Sequence, residues 1–248
     1  MIGVYDSGVG GLAVFREVRR LLPEADLVYL ADQANAPYGE RSVDEVRQFA
    51  ETAVGTLVDR GASTVVVACN TASAAALGHL RSVFAVPIVG MEPAVKPAAA
   101  ATRSGRVAVL ATPVTFQGAV FEDLVGRFAA GITVIAHPCP GWAAAVEDEW
   151  PAGADQAVAE HLAPLFESGV DTIVLACTHY SFLSGVIAAV AGPGVTVVDP
   201  TDAVARQVTR VTEPGGSGTT TYLTTGDPVR FAGQVARLLG EVVTTASP

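Results

Sequence analysis

Short runs of β-branched and other apolar residues alternate along the chain with longer stretches of helical period. The strand runs are Ile2–Tyr5, Leu27–Ala31, Thr64–Ala68, Val107–Ala111, Thr133–Ala136, Thr172–Ala176 and Val195–Val198. Most are apolar throughout, the pattern of strands covered on both faces in a parallel sheet. The clearest helix runs from Ser42 to Arg60. Ser42 and Glu45 form a capping box, Val43, Val46, Ala50, Ala53 and Leu57 make one apolar stripe, and Gly61 ends it. Strand and helix in alternation predict an α/β fold with a largely parallel sheet.

The pattern also repeats. Val65–Ser73 (VVVACNTAS) resembles Ile173–Ser181 (IVLACTHYS): a buried strand ends in Ala-Cys, followed by polar residues and a helix start. The strands at Ile2 and Val107 stand at a similar offset, so two related α/β halves account for both pairs. Boundaries between halves are expected in the stretch Glu92–Pro97 and near Pro200–Asp202. The first half is expected to comprise residues 1–94 with 203–248, and the second 95–202; the periodicity itself does not say on which half the last strand and helix pack. The turn-rich segment Glu213–Thr220 leads into a last strand, Thr221–Thr224, and a last helix, Asp227–Leu239.

Composition narrows the function. The 248 residues are 50% hydrophobic and 16% charged, enough apolar chain for a sizeable core and too little charge for disorder. A net charge of −10 opposes binding to nucleic acid. A charge-free run between Asp171 and Asp199 raises the question of a membrane span, but His179, Gly185 and Gly192-Pro193-Gly194 break it into shorter elements. The N-terminus carries no visible signal peptide, and three cysteines without C-x-x-C spacing make neither a disulfide framework nor a zinc site. A soluble cytoplasmic protein with free thiols is expected, with no nucleic-acid or membrane partner.

Candidate chemistry lies at three strand-to-helix junctions: Asp6–Gly11, Cys69-Asn70-Thr71 and Cys177-Thr178-His179. Ligands of open α/β sheets bind outside the carboxyl ends of the strands, where helix N-termini hold anions without basic side chains. The first junction also fits G-x-G-x-x-A, with Asp32 at the end of the next strand, so a dinucleotide site competes there. A structural glycine turn is the other reading. One cysteine at a strand end is ordinarily a small buried hydrophobe. Two in equivalent places, each at a helix start that favours thiolate, can take a proton from one face of a carbon and return one to the other. Cys139, between Pro138 and Pro140, lacks that setting and is read as structural, while His79 and His161 sit in helical segments. No metal constellation is visible. The only lysine, Lys96, lies in no recognisable cofactor loop, which disfavours pyridoxal phosphate chemistry.

Asp6–Leu12 (DSGVGGL), Pro37-Tyr38-Gly39, Ala68–Ser73 (ACNTAS), Glu92–Pro97 (EPAVKP) and Ala176–Tyr180 (ACTHY) together resemble the cofactor-independent aspartate/glutamate racemases, and within them the glutamate racemases. The resemblance spans nearly the whole chain. It implies two pseudo-symmetric α/β domains with glutamate between them, no cofactor and no metal. Cys69 would act on D-glutamate and Cys177 on L-glutamate, assisted by Asp6 and His179. Ser7, Tyr38, Gly39, Asn70, Thr71 and Thr178, with Asp6 and His179, would hold the amino acid, and Thr112, Thr115 and Glu147 would complete the pocket. The implied role is supply of D-glutamate for peptidoglycan, with homodimerisation left open. Ser181 and Ala176 depart from the family's usual proline and glycine, and Phe116-Gln117-Gly118 is unusual in the second half. None of these is a proposed acid or base. A racemase of aspartate or a related acid, a nicotinamide-dependent oxidoreductase and a non-catalytic amino-acid-binding protein remain as rivals.

Overall fold

The computed structural model describes residues 1–116, 119–150, 154–213 and 215–248, so Gln117 and Gly118 of the unusual segment and Pro214 of the turn-rich segment lie outside the described residues. Among the described residues ten strands form two parallel sheets. They are β1 (Ile2–Asp6), β2 (Leu27–Ala31), β3 (Thr64–Val67), β4 (Ile88–Gly90), β5 (Arg106–Ala111), β6 (Thr133–Pro138), β7 (Thr172–Leu175), β8 (Thr196–Val198), β9 (Thr220–Thr224) and β10 (Thr245–Ala246). The first sheet runs β10-β9-β2-β1-β3-β4 and the second β6-β5-β7-β8.

The weak internal repeat is a repeat of topology. Both sheets contain the order second-first-third-fourth, with β1 and β5 at the centre and the Cys-bearing strands β3 and β7 beside them. Strands β1, β2, β3 and β7 are buried at every position, which is why their sequences show no polar alternation. The strand expected at Thr221–Thr224 adds to the first half as β9, which pairs with β2 from Leu27 opposite Thr220 to Ala31 opposite Thr224, and β10 follows at its outer edge. Two short strands, β4 and β10, have no separate signature in the sequence pattern, since two or three residues are too few to establish a period.

Helix ends follow local chemistry. The Val43–Asp59 helix carries the expected capping box: Glu45 N–H donates to Ser42 Oγ at 3.3 Å, and Ser42 N–H donates to Glu45 Oε2 at 2.9 Å. Gly61, at φ +92°, turns the chain out of that helix. Asp227 caps the Pro228–Leu239 helix through Val229 N–H and Arg230 N–H. Among the described residues no helix is long and apolar enough to cross a membrane; the charge-free run forms β7, a 3₁₀ turn, the Ser184–Ala191 helix and β8.

Candidate active site

The carboxyl ends of β1, β3 and β7 converge on one cavity of about 350 Å³ between the two sheets. Its wall includes Ser7, Tyr38, Gly39, Cys69, Asn70 and Thr71 from the first half, and Thr112, Glu147, Cys177, Thr178 and His179 from the second. Of the residues the racemase resemblance assigned to the site, Asp6 and Thr115 are the two that do not reach this wall. Asp6 is wholly buried behind it, and Thr115 supports Thr112 through their hydroxyls, 3.1 Å apart. The cavity is large enough for a small amino acid.

The two candidate thiols have different surroundings. Cys69 is the N-cap of the Asn70–Val83 helix, and Ala72 N–H donates to its Sγ at 3.4 Å. Ser7 Oγ lies 3.7 Å from the same sulfur. Cys177 does not begin an α-helix; it precedes the 3₁₀ turn Thr178–Leu183 and makes no side-chain cap. The expected helix-dipole assistance therefore applies to Cys69 alone. Cys177 has an imidazole in its place, with His179 Nδ1 at 3.7 Å from its Sγ.

Protonation follows from these partners. Burial, reinforced by the nearby Asp6 carboxylate, pushes the Cys69 thiol up to about 12, so Cys69 holds its proton in the ligand-free protein. Burial opposes charge on His179, but its bonds to Cys177 and Glu147 outweigh that and hold the imidazole well above its ordinary value. Glu147 Oε1 accepts from His179 Nε2 at 2.8 Å and from Val9 N–H at 2.7 Å. Burial alone would raise the Glu147 carboxyl, yet these donors and the His179 charge keep it below the usual range. Asp6 shows the reverse balance: burial raises it to about 6 against the opposing pull of His179 and of the N–H of Gly8.

The glycine loop does not leave room for a pyrophosphate. A Cβ on Gly8 would stand 1.8 Å from Glu147 Oε1, and one on Gly10 would stand 2.4 Å from Thr178 Oγ1 and 2.6 Å from His179 Nδ1. These glycines let the first half approach the Thr178–Leu183 turn and Glu147 of the second half. Asp32 is also engaged: Tyr38 OH, Asn35 Nδ2 and Thr225 Oγ1 all donate to its carboxylate. The dinucleotide reading of Gly8–Ala13 with Asp32 is thereby overturned.

Sequence reasoning missed the groups that hold Glu147. Gln33 Nε2 and Gln234 Nε2 both donate to Glu147 Oε2, at 3.1 and 3.2 Å. Gln33 follows β2 and Gln234 lies on the last helix, and only the fold brings them together. The 2.7 Å Arg230–Asp148 ion pair, whose two residues also line the cavity, has no signal in the sequence either. Asn70 is buried at the wall, and neither its Oδ1 nor its Nδ2 has a hydrogen-bond partner among the described residues. An unpaired buried amide is costly, and this one lines the cavity, where a ligand could satisfy it.

Two parallel sheets, each contributing a cysteine to one shared cavity, define a two-lobed α/β fold. The model for the Asp/Glu/Hydantoin racemase family matches residues 10–208, and the chain belongs to that family. It is 49% identical over 249 residues to a glutamate racemase of Roseiflexus sp. (strain RS-1), covering 96% of this chain and 91% of that one. Its structure superposes on the crystal structure of glutamate racemase isoform RacE1 from Bacillus anthracis with a TM-score of 0.89 at 32% identity, covering 100% and 97% of the two chains. The Escherichia coli glutamate racemase in complex with L-glutamate and the activator UDP-MurNAc-ala also gives a TM-score of 0.89, at 31% identity and 99% and 96% coverage.

Proposed function

We propose that this protein interconverts L- and D-glutamate by proton transfer at Cα between two thiols, without a cofactor. One observation carries the reading: Cys69 and Cys177, from equivalent strands of the two sheets, line one cavity, and each has its own proton-handling partners. In the L-to-D direction, Cys177, as thiolate beside the charged His179, removes the Cα proton. Cys69, which enters as the thiol, delivers its proton to the opposite face. The D-to-L direction runs through the same two sulfurs in reverse.

The α-proton is a very weak acid, so charge developing on the substrate carboxylate must be stabilised by oriented donors. The N-terminus of the Asn70–Val83 helix supplies backbone N–H groups, and Asn70, Thr71 and Ser7 supply side-chain donors around it, while Thr178 Oγ1, whose hydrogen goes to Asp6, is left to accept from the substrate ammonium. Thr71 Oγ1 and Thr112 Oγ1, 3.0 Å apart, tie the two lobes together at this rim. Tyr38 contributes its ring and the shape of the wall, because its hydroxyl is committed to Asp32. Gly39 packs against Thr112, where a Cβ would come within 3.1 Å of the threonine's own Cβ.

The lobes correspond to residues 1–94 with 203–248, and 95–202. The Val95–Ala101 helix packs on β5, β7 and β8, while the Thr201–Val211 helix packs on β3 and β4. Free buried thiols suit a reducing compartment, so the protein is assigned to the cytoplasm, making D-glutamate for peptidoglycan. Circular dichroism of L-glutamate incubated with the purified protein, with L-aspartate in parallel, tests the reading. Decay of the glutamate signal alone is expected. Decay of the aspartate signal alone moves the substrate, and flat traces for both with reduced thiols reject racemisation.

A further inference from the structure

Behind the second lobe's wall of the cavity, the fold gathers three potential metal ligands that the sequence spacing keeps apart. His137 lies in β6, Cys139 directly follows that strand, and His161 lies on the Ala154–Glu167 helix. One ligand atom from each falls within 4.8 Å of the other two. The two imidazoles meet edge to face, with centroids 4.6 Å apart.

Three further observations point to a ligand rather than to packing alone. His137 Nε2 is a buried nitrogen with no hydrogen-bond partner among the described residues. His161 Nε2 lies 3.1 Å from the Pro138 carbonyl, which can only accept, so Nε2 carries the proton and Nδ1 is left with its lone pair. A ring N–H given to a backbone carbonyl is the arrangement that orients metal-binding histidines. The Cys139 thiol has only a long contact with the His137 carbonyl, 3.6 Å.

We propose that His137, Cys139 and His161 bind a soft divalent cation of the zinc class. Two imidazoles and a thiolate suit such an ion, with water completing a tetrahedron; Cys139 would release its proton to solvent on binding. Zinc–ligand bonds of about 2.0–2.3 Å place tetrahedral ligand atoms roughly 3.5 Å apart, so modest side-chain rotation closes the site. The ion would pin the loop from Pro138 to Gly141, part of which lines the catalytic cavity. Tyr180 OH already donates to the Cys139 carbonyl at 3.0 Å, and Trp142 packs between His161 and Tyr180, so this loop abuts the turn that carries His179.

Cobalt(II) titration of the full chain tests the site, in a Cys69→Ala/Cys177→Ala background that leaves Cys139 as the sole thiol. The expected result is a thiolate-to-cobalt charge-transfer band saturating at one ion per chain and displaced by zinc. The band should fall at least tenfold in His161→Phe, which keeps a ring against Trp142, and in His137→Asn. Zinc should also raise the thermal unfolding midpoint of the background variant by several degrees, and leave it unchanged once Cys139→Ala is added. No band at millimolar cobalt overturns the proposal, as does a band that survives both histidine substitutions. A band seen in the unsubstituted chain and lost in the two-alanine background assigns the metal to the catalytic thiols, and equally overturns it.

Discussion

Thr178 Oγ1 donates to Asp6 Oδ2 across the cleft at 3.0 Å, joining the residue after one candidate catalytic cysteine to the strand end beside the other. Asp6 Oδ1 accepts at the same time from Gly8 N–H at 2.9 Å. The carboxylate thus ties both lobes to the glycine loop without lining the cavity, the geometry of a positioning role in the proposed reaction.

Asp6→Asn should lower kcat on the order of 100-fold, the lower range for a disturbed acid–base site. Stability should change in the opposite sense. Asp6 sits at about 6 in the folded protein against 3.8 as its ordinary value, so the folded state holds that proton more tightly than the unfolded one. Stability therefore falls as pH rises from about 4 to 6, and the full penalty, of order 3 kcal/mol, is present above that. Denaturant unfolding should find the variant more stable than the parent at pH 8 and lose most of that advantage at pH 4. A kcat/KM profile that keeps its acidic limb near pH 6 in the variant would remove Asp6 from the account.

Glu147→Gln takes away one of the two groups, after Cys177, that hold the His179 imidazole above its ordinary value. kcat should drop about 100-fold, and the alkaline limb of the pH profile should move to lower pH. The enantiomers have equal free energy, so kcat/KM must fall by the same factor in both directions. A one-sided effect can appear only in the separate kcat and KM values. An unshifted alkaline limb would mean that His179 does not depend on Glu147.

Asn70→Ala tests whether the unpaired amide is kept for substrate. KM for glutamate should rise on the order of tenfold, because donors or acceptors on the substrate lose their partner. Unfolding free energy should stay level or rise, since the free protein loses no hydrogen bond at that side chain. A clear loss of stability with unchanged KM would make Asn70 a structural residue.

Gly10→Ala should cost several kcal/mol and abolish turnover, because the new Cβ collides with Thr178 Oγ1, His179 Nδ1 and the His179 backbone nitrogen. Gly78→Ala, inside the Asn70–Val83 helix with nothing within 4 Å of the added Cβ, should instead stabilise by up to about 1 kcal/mol. Equal tolerance at both positions would contradict the close approach of the lobes at Gly10.

What could be read from the sequence divides along physical lines. The apolar parallel strands, the Ser42 cap and the Ala-Cys repeat are local signals, and their counterparts stand in the fold as β1–β3, β5–β8, the Val43–Asp59 helix and the shared strand order, although β6 and β8, at the edges of their sheet, are exposed or half-buried rather than buried. Identical fingerprints can still carry different meanings: Gly8, Gly10 and Asp32 match a nucleotide loop letter by letter, and only the tertiary neighbours Glu147, Thr178 and Tyr38 disqualify it. The same limit applied to Cys177, whose helix start became a 3₁₀ turn, and to Gln33 and Gln234, polar residues 201 positions apart that meet at 2.7 Å. No periodicity reports such long-range pairings.

Racemisation of L-glutamate in deuterium oxide, followed by mass and chirality at low conversion, tests the two-thiol account most directly. The account predicts deuterium at Cα in essentially every molecule of D-glutamate formed and almost none in the remaining L-glutamate, because the proton removed by Cys177 and the one delivered by Cys69 are different. Equal labelling of product and residual substrate, or D-glutamate that keeps the original proton, would place both steps on a single base and contradict it.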